Sequence, residues 1–281
     1  MSAFNRELVA GKADLGVALV TGASTGIGRA TAKALKDAGF RVFGTSRRPV
    51  SESPDGITML IGDVTDDASV AKLVDEVIAD AGRIDLLVNN AGVGLLGGAE
   101  ESSIAQAQAL FDVNLFGVLR VTNAVLPTMR RQASGRIINM SSVMGLIPAP
   151  YLALYASTKH ALEGYSESLD HELRAFGIRV VLVEPAYTRT LFEDNLTTPD
   201  RLLDVYDLVR DGAKAAMREA MQQVGDVPEV VAETVLKAAT AAVPRRRYAA
   251  GKKARQTSFL RRFVPEAAFD KSLRKEMRLP V

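Results

Sequence analysis

Residues 17–28 read VALVTGASTGIG. Val17–Thr21 is an apolar run that reads as a short strand buried on both faces. Gly22, Gly26 and Gly28 follow, and from Ile27 the sequence turns helical. Glycine at a strand end permits a tight turn, and glycine at a helix start lets a pyrophosphate approach the backbone. The helix N-terminus adds free N–H groups and a positive dipole. The spacing here is G-x-x-x-G-x-G, not the commoner G-x-G-x-x-G, and an ordinary glycine turn would use the same residue type. The surrounding chain decides between the two.

Outward from this stretch, short β-rich runs alternate with longer helical segments. Ile27–Asp37 predicts a helix, Arg41–Ser46 a second strand and Thr58–Ile61 a third. Asp66–Ala81 predicts a helix, because Val70, Leu73, Val74, Val77 and Ile78 recur at helical spacing. Leu86–Asn89 reads as a strand, and a long helix-forming region runs to about Arg131. Arg136–Met140 gives the next strand, Leu152–Phe176 a helix, and Arg179–Glu184 closes the series. Such alternation implies an α/β fold, a doubly wound parallel sheet covered by helices on both faces, in a single domain spanning 1–281.

Two segments depart from the rhythm. Residues 186–228 follow a strand end, where open α/β sheets bind ligands, and predict a helical substrate lid; a fixed helical hairpin is the alternative. From Pro244 the chain is basic, with RRRY, GKKARQ and LRRF. This C-terminal extension, 244–281, predicts a solvated helix, with weak attachment to an anionic surface as the alternative.

Composition narrows the function classes. With 47% hydrophobic and 24% charged residues in 281, the chain suits a globular protein with a substantial core. It has no cysteine, which excludes disulfides and thiol chemistry, and only His160 and His171, which argues against a metal site. A net charge of +2 gives no reason to expect nucleic-acid binding. The N-terminal residues lack the apolar core of a signal peptide, and no apolar run looks long enough to span a bilayer, so the expectation is a soluble cytoplasmic protein.

The second strand speaks to the cofactor. Where a dinucleotide carries a free ribose 2′-OH, a carboxylate at this strand end binds it; where a 2′-phosphate must fit, arginine replaces the acid. Here the strand ends in TSRR, with Ser46 at the acid position and Arg47 and Arg48 after it. A hydroxyl and a guanidinium fork both bind phosphate. NADP (NADPH) is expected over NAD.

With TGASTGIG (21–28), NNAG (89–92) and YASTK (155–159), the chain resembles the short-chain dehydrogenase/reductase family, whose fold is Rossmann-like. Ser142, in NMSSV, stands thirteen positions before Tyr155, the usual serine placement in that family. Asn114 in DVNLFG and Asp63 in GDVTD also match. The likeness covers roughly Val17 to Thr190. One departure is Pro185-Ala186 where the family often has Pro-Gly, which restricts the backbone locally. The resemblance implies a catalytic set of Asn114, Ser142, Tyr155 and Lys159. It implies a cofactor site of Gly22, Ser24, Thr25, Gly26, Ile27, Gly28, Ser46, Arg47, Arg48, Asp63, Val64, Asn90, Ala91, Gly92, Pro185, Thr188 and Thr190, shared with Tyr155 and Lys159.

The implied reaction needs a hydride donor at a carbonyl carbon and a proton donor at its oxygen. Tyr155 can give the proton, but a phenol with pKa of about 10 is a poor match to neutral pH. Lys159, one helical turn on, is expected to lower that pKa. By resemblance Lys159 also bonds the nicotinamide ribose, Ser142 holds the carbonyl oxygen and Asn114 steadies a relay water. Both histidines read as helix-surface or packing residues.

Val93, Leu95, Val143, Met144, Leu146, Tyr151, Leu191 and Phe192 flank the motifs on the substrate side. With Ser142 and Tyr155 they predict a hydrophobic ketone, aldehyde or secondary alcohol as the small-molecule substrate. Two alternatives remain: a ketoreductase for carrier-bound acyl chains, and a non-catalytic NADP-binding sensor. The RRRY tail more loosely resembles extended members that act on steroids or retinoids. The family's usual assembly implies a homodimer or homotetramer.

Overall fold

The computed structural model describes residues 14–50, 56–190 and 196–279. Seven strands form one sheet: β1 (Val17–Val20), β2 (Arg41–Ser46), β3 (Thr58–Ile61), β4 (Leu86–Asn89), β5 (Gly135–Met140), β6 (Ile178–Pro185) and β7 (Arg247–Ala250). Their order is β3-β2-β1-β4-β5-β6-β7, and every neighbouring pair is parallel. The helices are α1 (Gly26–Ala38), α2 (Asp67–Ala81), α3 (Ile104–Phe111), α4 (Gly117–Gln132), α5 (Ala153–Leu173), α6 (Asp207–Val224), α7 (Pro228–Thr240), α8 (Lys252–Phe263) and α9 (Glu266–Glu276).

Successive strand side chains point to opposite faces, so each central strand feeds two cores. Ala18 and Val20 of β1 join Leu35 of α1 and Val231 and Val235 of α7 on one face. Val17 and Leu19 join Val74 of α2, Val125 of α4 and Leu169 of α5 on the other. Burial of such a side chain contributes roughly 1.5–3 kcal/mol, and this two-sided demand explains why the strands lack polar alternation.

The structure corrects four expectations. The series does not close at β6: RYAA, inside the supposed solvated tail, is a sheet strand pairing from Leu182↔Arg247 to Pro185↔Ala250. Only α8 and α9 of that tail are helical. The region before Arg131 is two helices joined by a π turn at Asp112–Phe116, around Asn114. Ile104–Gln132 as a whole is also long and apolar enough to cross a membrane by length and composition, contrary to the reading of the sequence. In the fold its Val118, Val121, Val125 and Met129 are buried.

The described part of 186–228 is anchored. Glu101, fully buried, accepts from the main-chain N–H of Leu203 at 2.9 Å and pairs with Arg210. Ser103 donates from its main chain to Asp200 at 2.8 Å. These contacts tie the start of α6 to the segment before α3.

Candidate active site

The strand order reverses between β1 and β4, and loops leaving such neighbours open a crevice at the strands' C-terminal ends. The glycine loop leaves β1 there. Gly22 and Gly26 have φ of +65° and +55°, a region that favours glycine. A Cβ on Gly28 would lie 2.1 Å from the Gly22 carbonyl oxygen, so only glycine permits this close helix–loop packing. From the other side Asn90 Nδ2 donates to the carbonyls of Thr21 at 2.9 Å and Gly22 at 3.0 Å. Thr21 Oγ1 in turn accepts from the N–H groups of Asn90 and Ala91, each at 3.0 Å. The α1 N-cap, Thr25, makes no side-chain cap, which leaves the helix's first N–H groups available to an anion.

A cavity of about 1200 Å³ runs from this cradle across the edge of the sheet. Every cofactor-site residue expected from the sequence borders it, from the glycine loop through Ser46, Arg47 and Arg48 to Pro185, Thr188 and Thr190. Asp63 lies below its ordinary pKa because it accepts from Thr65 N at 2.9 Å and Thr65 Oγ1 at 2.8 Å, with Arg47 adding positive field. A glycine cradle at an uncapped helix start, an ionised carboxylate beside it and arginines at the β2 end together fit a nicotinamide dinucleotide.

Ser142, Tyr155 and Lys159 meet in the same cavity. The 3₁₀ turn Val143–Gly145 begins at Ser142, whose Oγ accepts from Met144 N at 3.1 Å. Tyr155 and Lys159 lie one turn apart on α5. Lys159 is 6% exposed, donates to the Met140 carbonyl at 2.8 Å, and its Nζ lies 5.7 Å from the Tyr155 ring centre. Burial pushes the Tyr155 phenol up to about 12, against a hydrogen bond with Ser142. The expected lowering by Lys159 does not appear in the protein alone, and the phenol keeps its proton at neutral pH. Burial also pulls Lys159 down to about 8, opposed by Glu163.

Asn114 lies close by, but its side chain is committed elsewhere. Its Oδ1 accepts from Val93 N at 2.9 Å, and its Nδ2 donates to Val93 O at 2.9 Å and Thr158 Oγ1 at 3.2 Å. With both amide donors engaged, a water at Lys159 gains no donor from this side chain.

On the substrate side Val93, Val143 and Met144 border the cavity. Tyr151 does not: its backbone turns at φ +60° and its ring packs edge-on to Tyr206, centres 6.3 Å apart. Leu95 and Leu146 are also outside the lining, and Leu191 and Phe192 lie outside the described residues. The sequence reading missed the opposite wall: Met217 and Met221 of α6, Leu260 of α8, and Phe269, Leu273 and Met277 in and just after α9. Their four-residue spacing on helices was a legible signal, but it does not say what the apolar face meets.

Residues 16–201 match the family described as short chain dehydrogenase. The chain belongs to the short-chain dehydrogenase family. A short-chain dehydrogenase from Streptomyces avermitilis shares the fold with a TM-score of 0.77 and 34% identity, covering 94% of each chain. The 3-ketodihydrosphingosine reductase of Bacteroides thetaiotaomicron is 44% identical over 179 residues, 64% of this chain and 66% of that protein. Human 17-beta-hydroxysteroid dehydrogenase type 1 is 36% identical over 256 residues, 83% of this chain and 76% of that one. As a short-chain dehydrogenase the protein is an oxidoreductase acting between carbonyl and CH–OH groups. Its family match stops at Arg201, so α6–α9 and β7 lie beyond it.

Proposed function

We propose that this short-chain dehydrogenase is an NADP(H)-dependent oxidoreductase interconverting a hydrophobic ketone or aldehyde and its alcohol. The convergence of Ser142, Tyr155 and Lys159 in one cavity, between a glycine cradle and an apolar wall, carries the reading. Tyr155, held protonated by burial, gives its proton to the carbonyl oxygen during reduction and takes it back during oxidation. Ser142 Oγ donates to that oxygen as negative charge develops on it. Lys159 stabilises the phenolate left by proton transfer. Asn114 positions the site by tying the π turn to Val93 and Thr158.

The bound nicotinamide supplies the hydride chemistry. Gly22–Gly28, Asp63, Val64 and Asn90–Gly92 would hold the dinucleotide, with Ser46 and Arg47 at the 2′-phosphate; no acid stands at this strand end to repel it. The apolar wall favours a lipid-like substrate, and two of the three relatives above have names that refer to one, a ketodihydrosphingosine and a hydroxysteroid. The described parts of 186–228 and of the extension 244–281 supply the apolar wall of the substrate side. Exposed Ile104 and Phe116 favour a homodimer or homotetramer through the α3–α4 rod.

The test follows nicotinamide oxidation with NADPH and NADH against a panel of apolar ketones and aldehydes. The expected result is NADPH-preferring turnover of free substrates, and a loss of about a thousandfold in Tyr155→Phe with NADPH binding retained. Near-normal turnover in Tyr155→Phe would overturn the proton-donor role. NADPH binding without turnover of any free or carrier-bound ketone would make the protein a sensor, and turnover only of carrier-bound acyl chains would change the substrate class.

A further inference from the structure

A buried cluster of charge lies outside the steps above. Along α5, Tyr155, Lys159, Glu163 and Glu167 follow at four-residue spacing and share one helix face. Glu163 is 5% exposed, and Glu184, near the end of β6, is 1% exposed. Arg247 of β7 meets both carboxylates. Its Nε lies 2.8 Å from Glu163 Oε2 and 3.2 Å from Glu184 Oε1, the latter without hydrogen-bond geometry. Its other arm reaches Glu167 at 2.8 Å, and Arg246 approaches Glu167 at 3.7 Å. Glu163 Oε1 and Glu184 Oε1 have no hydrogen-bond partner among the described residues.

Two buried carboxylates that confront one guanidinium nitrogen do not both stay ionised without a large cost. The groups facing the pair are Lys159 and Glu167 on α5, Ser141 after β5, and Arg247 on β7. Burial, reinforced by the charge of Glu163, pushes Glu184 up to about 8. Burial also raises Glu163, against Ser141 and Arg247. A surface cleft of about 510 Å³ is bordered by Glu184 and Arg247, with Glu233, Lys237, Arg245, Arg255 and Arg262 also on its walls.

We propose that Glu163 and Glu184 hold one proton between them and, clamped by Arg247, act as positioning residues that keep Lys159 charged beside the reacting phenol. This rests on the catalytic reading of Tyr155 and Lys159 given above. Glu163 is the nearer partner, one helical turn from Lys159, and its negative charge favours the ammonium against burial. Glu184 acts through Glu163: with the proton on Glu184, Glu163 is ionised and supports Lys159; with the proton on Glu163, that support is lost. Arg247 reaches the pair from a strand beyond the family match, so the C-terminal part of the chain sets the charge of a residue in the motif YASTK.

The pair makes a signed prediction for reductive turnover against pH. Loss of the Lys159 charge defines the alkaline limb. Glu163→Gln removes its nearest carboxylate and moves that limb down by about one pH unit. Glu184→Gln keeps Glu163 ionised, as a protonated Glu184 does, and leaves the limb close to wild type. A purely structural role would lower the melting temperature in both variants without a limb shift confined to Glu163→Gln. A Glu163→Gln limb that superposes on wild type, or a Glu184→Gln limb that falls as far as that of Glu163→Gln, overturns the inference. If Glu163→Gln does not fold, Glu184→Gln, which mimics the protonated form of Glu184, carries the test alone, and a limb lowered by about one pH unit or more overturns it. Near-normal turnover in Tyr155→Phe would sink the catalytic reading itself. The expected loss in Tyr155→Phe, combined with an unmoved Glu163→Gln limb, would sink only the carboxylate pair.

Discussion

Arg47 stands just past the end of β2, exposed at the cavity rim and next to Ser46, which occupies the position where other dinucleotide folds place an acid. Arg47→Ala should weaken NADPH by about tenfold, the scale of one charge-assisted hydrogen bond, and leave NADH nearly unchanged. Titration of both nucleotides checks this, and equal losses would remove the 2′-phosphate assignment. The types and spacing of Ser142, Tyr155 and Lys159 were readable because their chemistry requires those residues. The direction of the Tyr155 shift was not. It depends on how much water the fold removes from the phenol, and that burial is the dominant cause of the rise.

The join between α5 and β6 is an ionic lock. Asp170, 1% exposed, accepts from Arg179 Nε at 2.9 Å and Val180 N at 3.0 Å, and pairs with Arg174. Burial works against its ionised form, yet these bonds hold its pKa down at about 2. Its folded value is depressed, so its stabilisation is present above the ordinary carboxylate range and is lost as pH falls toward 2. Asp170→Asn should cost about 3 kcal/mol at pH 7 in denaturant unfolding, with the difference from wild type shrinking at acid pH. A constant difference across pH would show that the charge is not what stabilises the join. Among the elements, β1 to β6 were legible within about a residue, because burial leaves short β-rich apolar runs, complete on both faces in β1 and β4 and weaker in the edge strand β3. The strand β7 was not, since Arg247 sits in it and reads as a solvated cation until Glu163 and Glu184 are brought to it.

The closing of the cavity belongs to the whole molecule. Helices α6, α8 and α9, far apart in sequence from the motifs, face the cradle and wall the substrate side. Lys253–Glu276 at 2.9 Å and Arg278–Glu219 at 2.5 Å fasten them to one another. A chain ending at Val264 loses Phe269, Leu273 and Met277 from that wall. KM for the best apolar substrate should rise about tenfold or more, at roughly 1.5–3 kcal/mol per buried side chain, while the nucleotide Kd stays close to wild type. An unchanged KM would place the substrate elsewhere in the cavity. The anchoring of 196–210 through Glu101 and Arg210 also leaves less freedom for a moving lid than the position of 186–228 alone implies.

By itself the sequence determined the doubly wound sheet, the glycine cradle, the serine, tyrosine and lysine, and the missing acid after β2. Each is a local requirement: a strand buried on both faces has few polar positions, and a loop that must touch phosphate has little room for side chains. The tertiary structure alone decided which apolar faces line the substrate cavity, that Tyr151 and the Asn114 amide turn away from it, and that Arg247 neutralises a buried carboxylate pair. Those outcomes depend on pairs of residues distant in the chain, whose burial and charge acquire meaning only once the fold has brought them together.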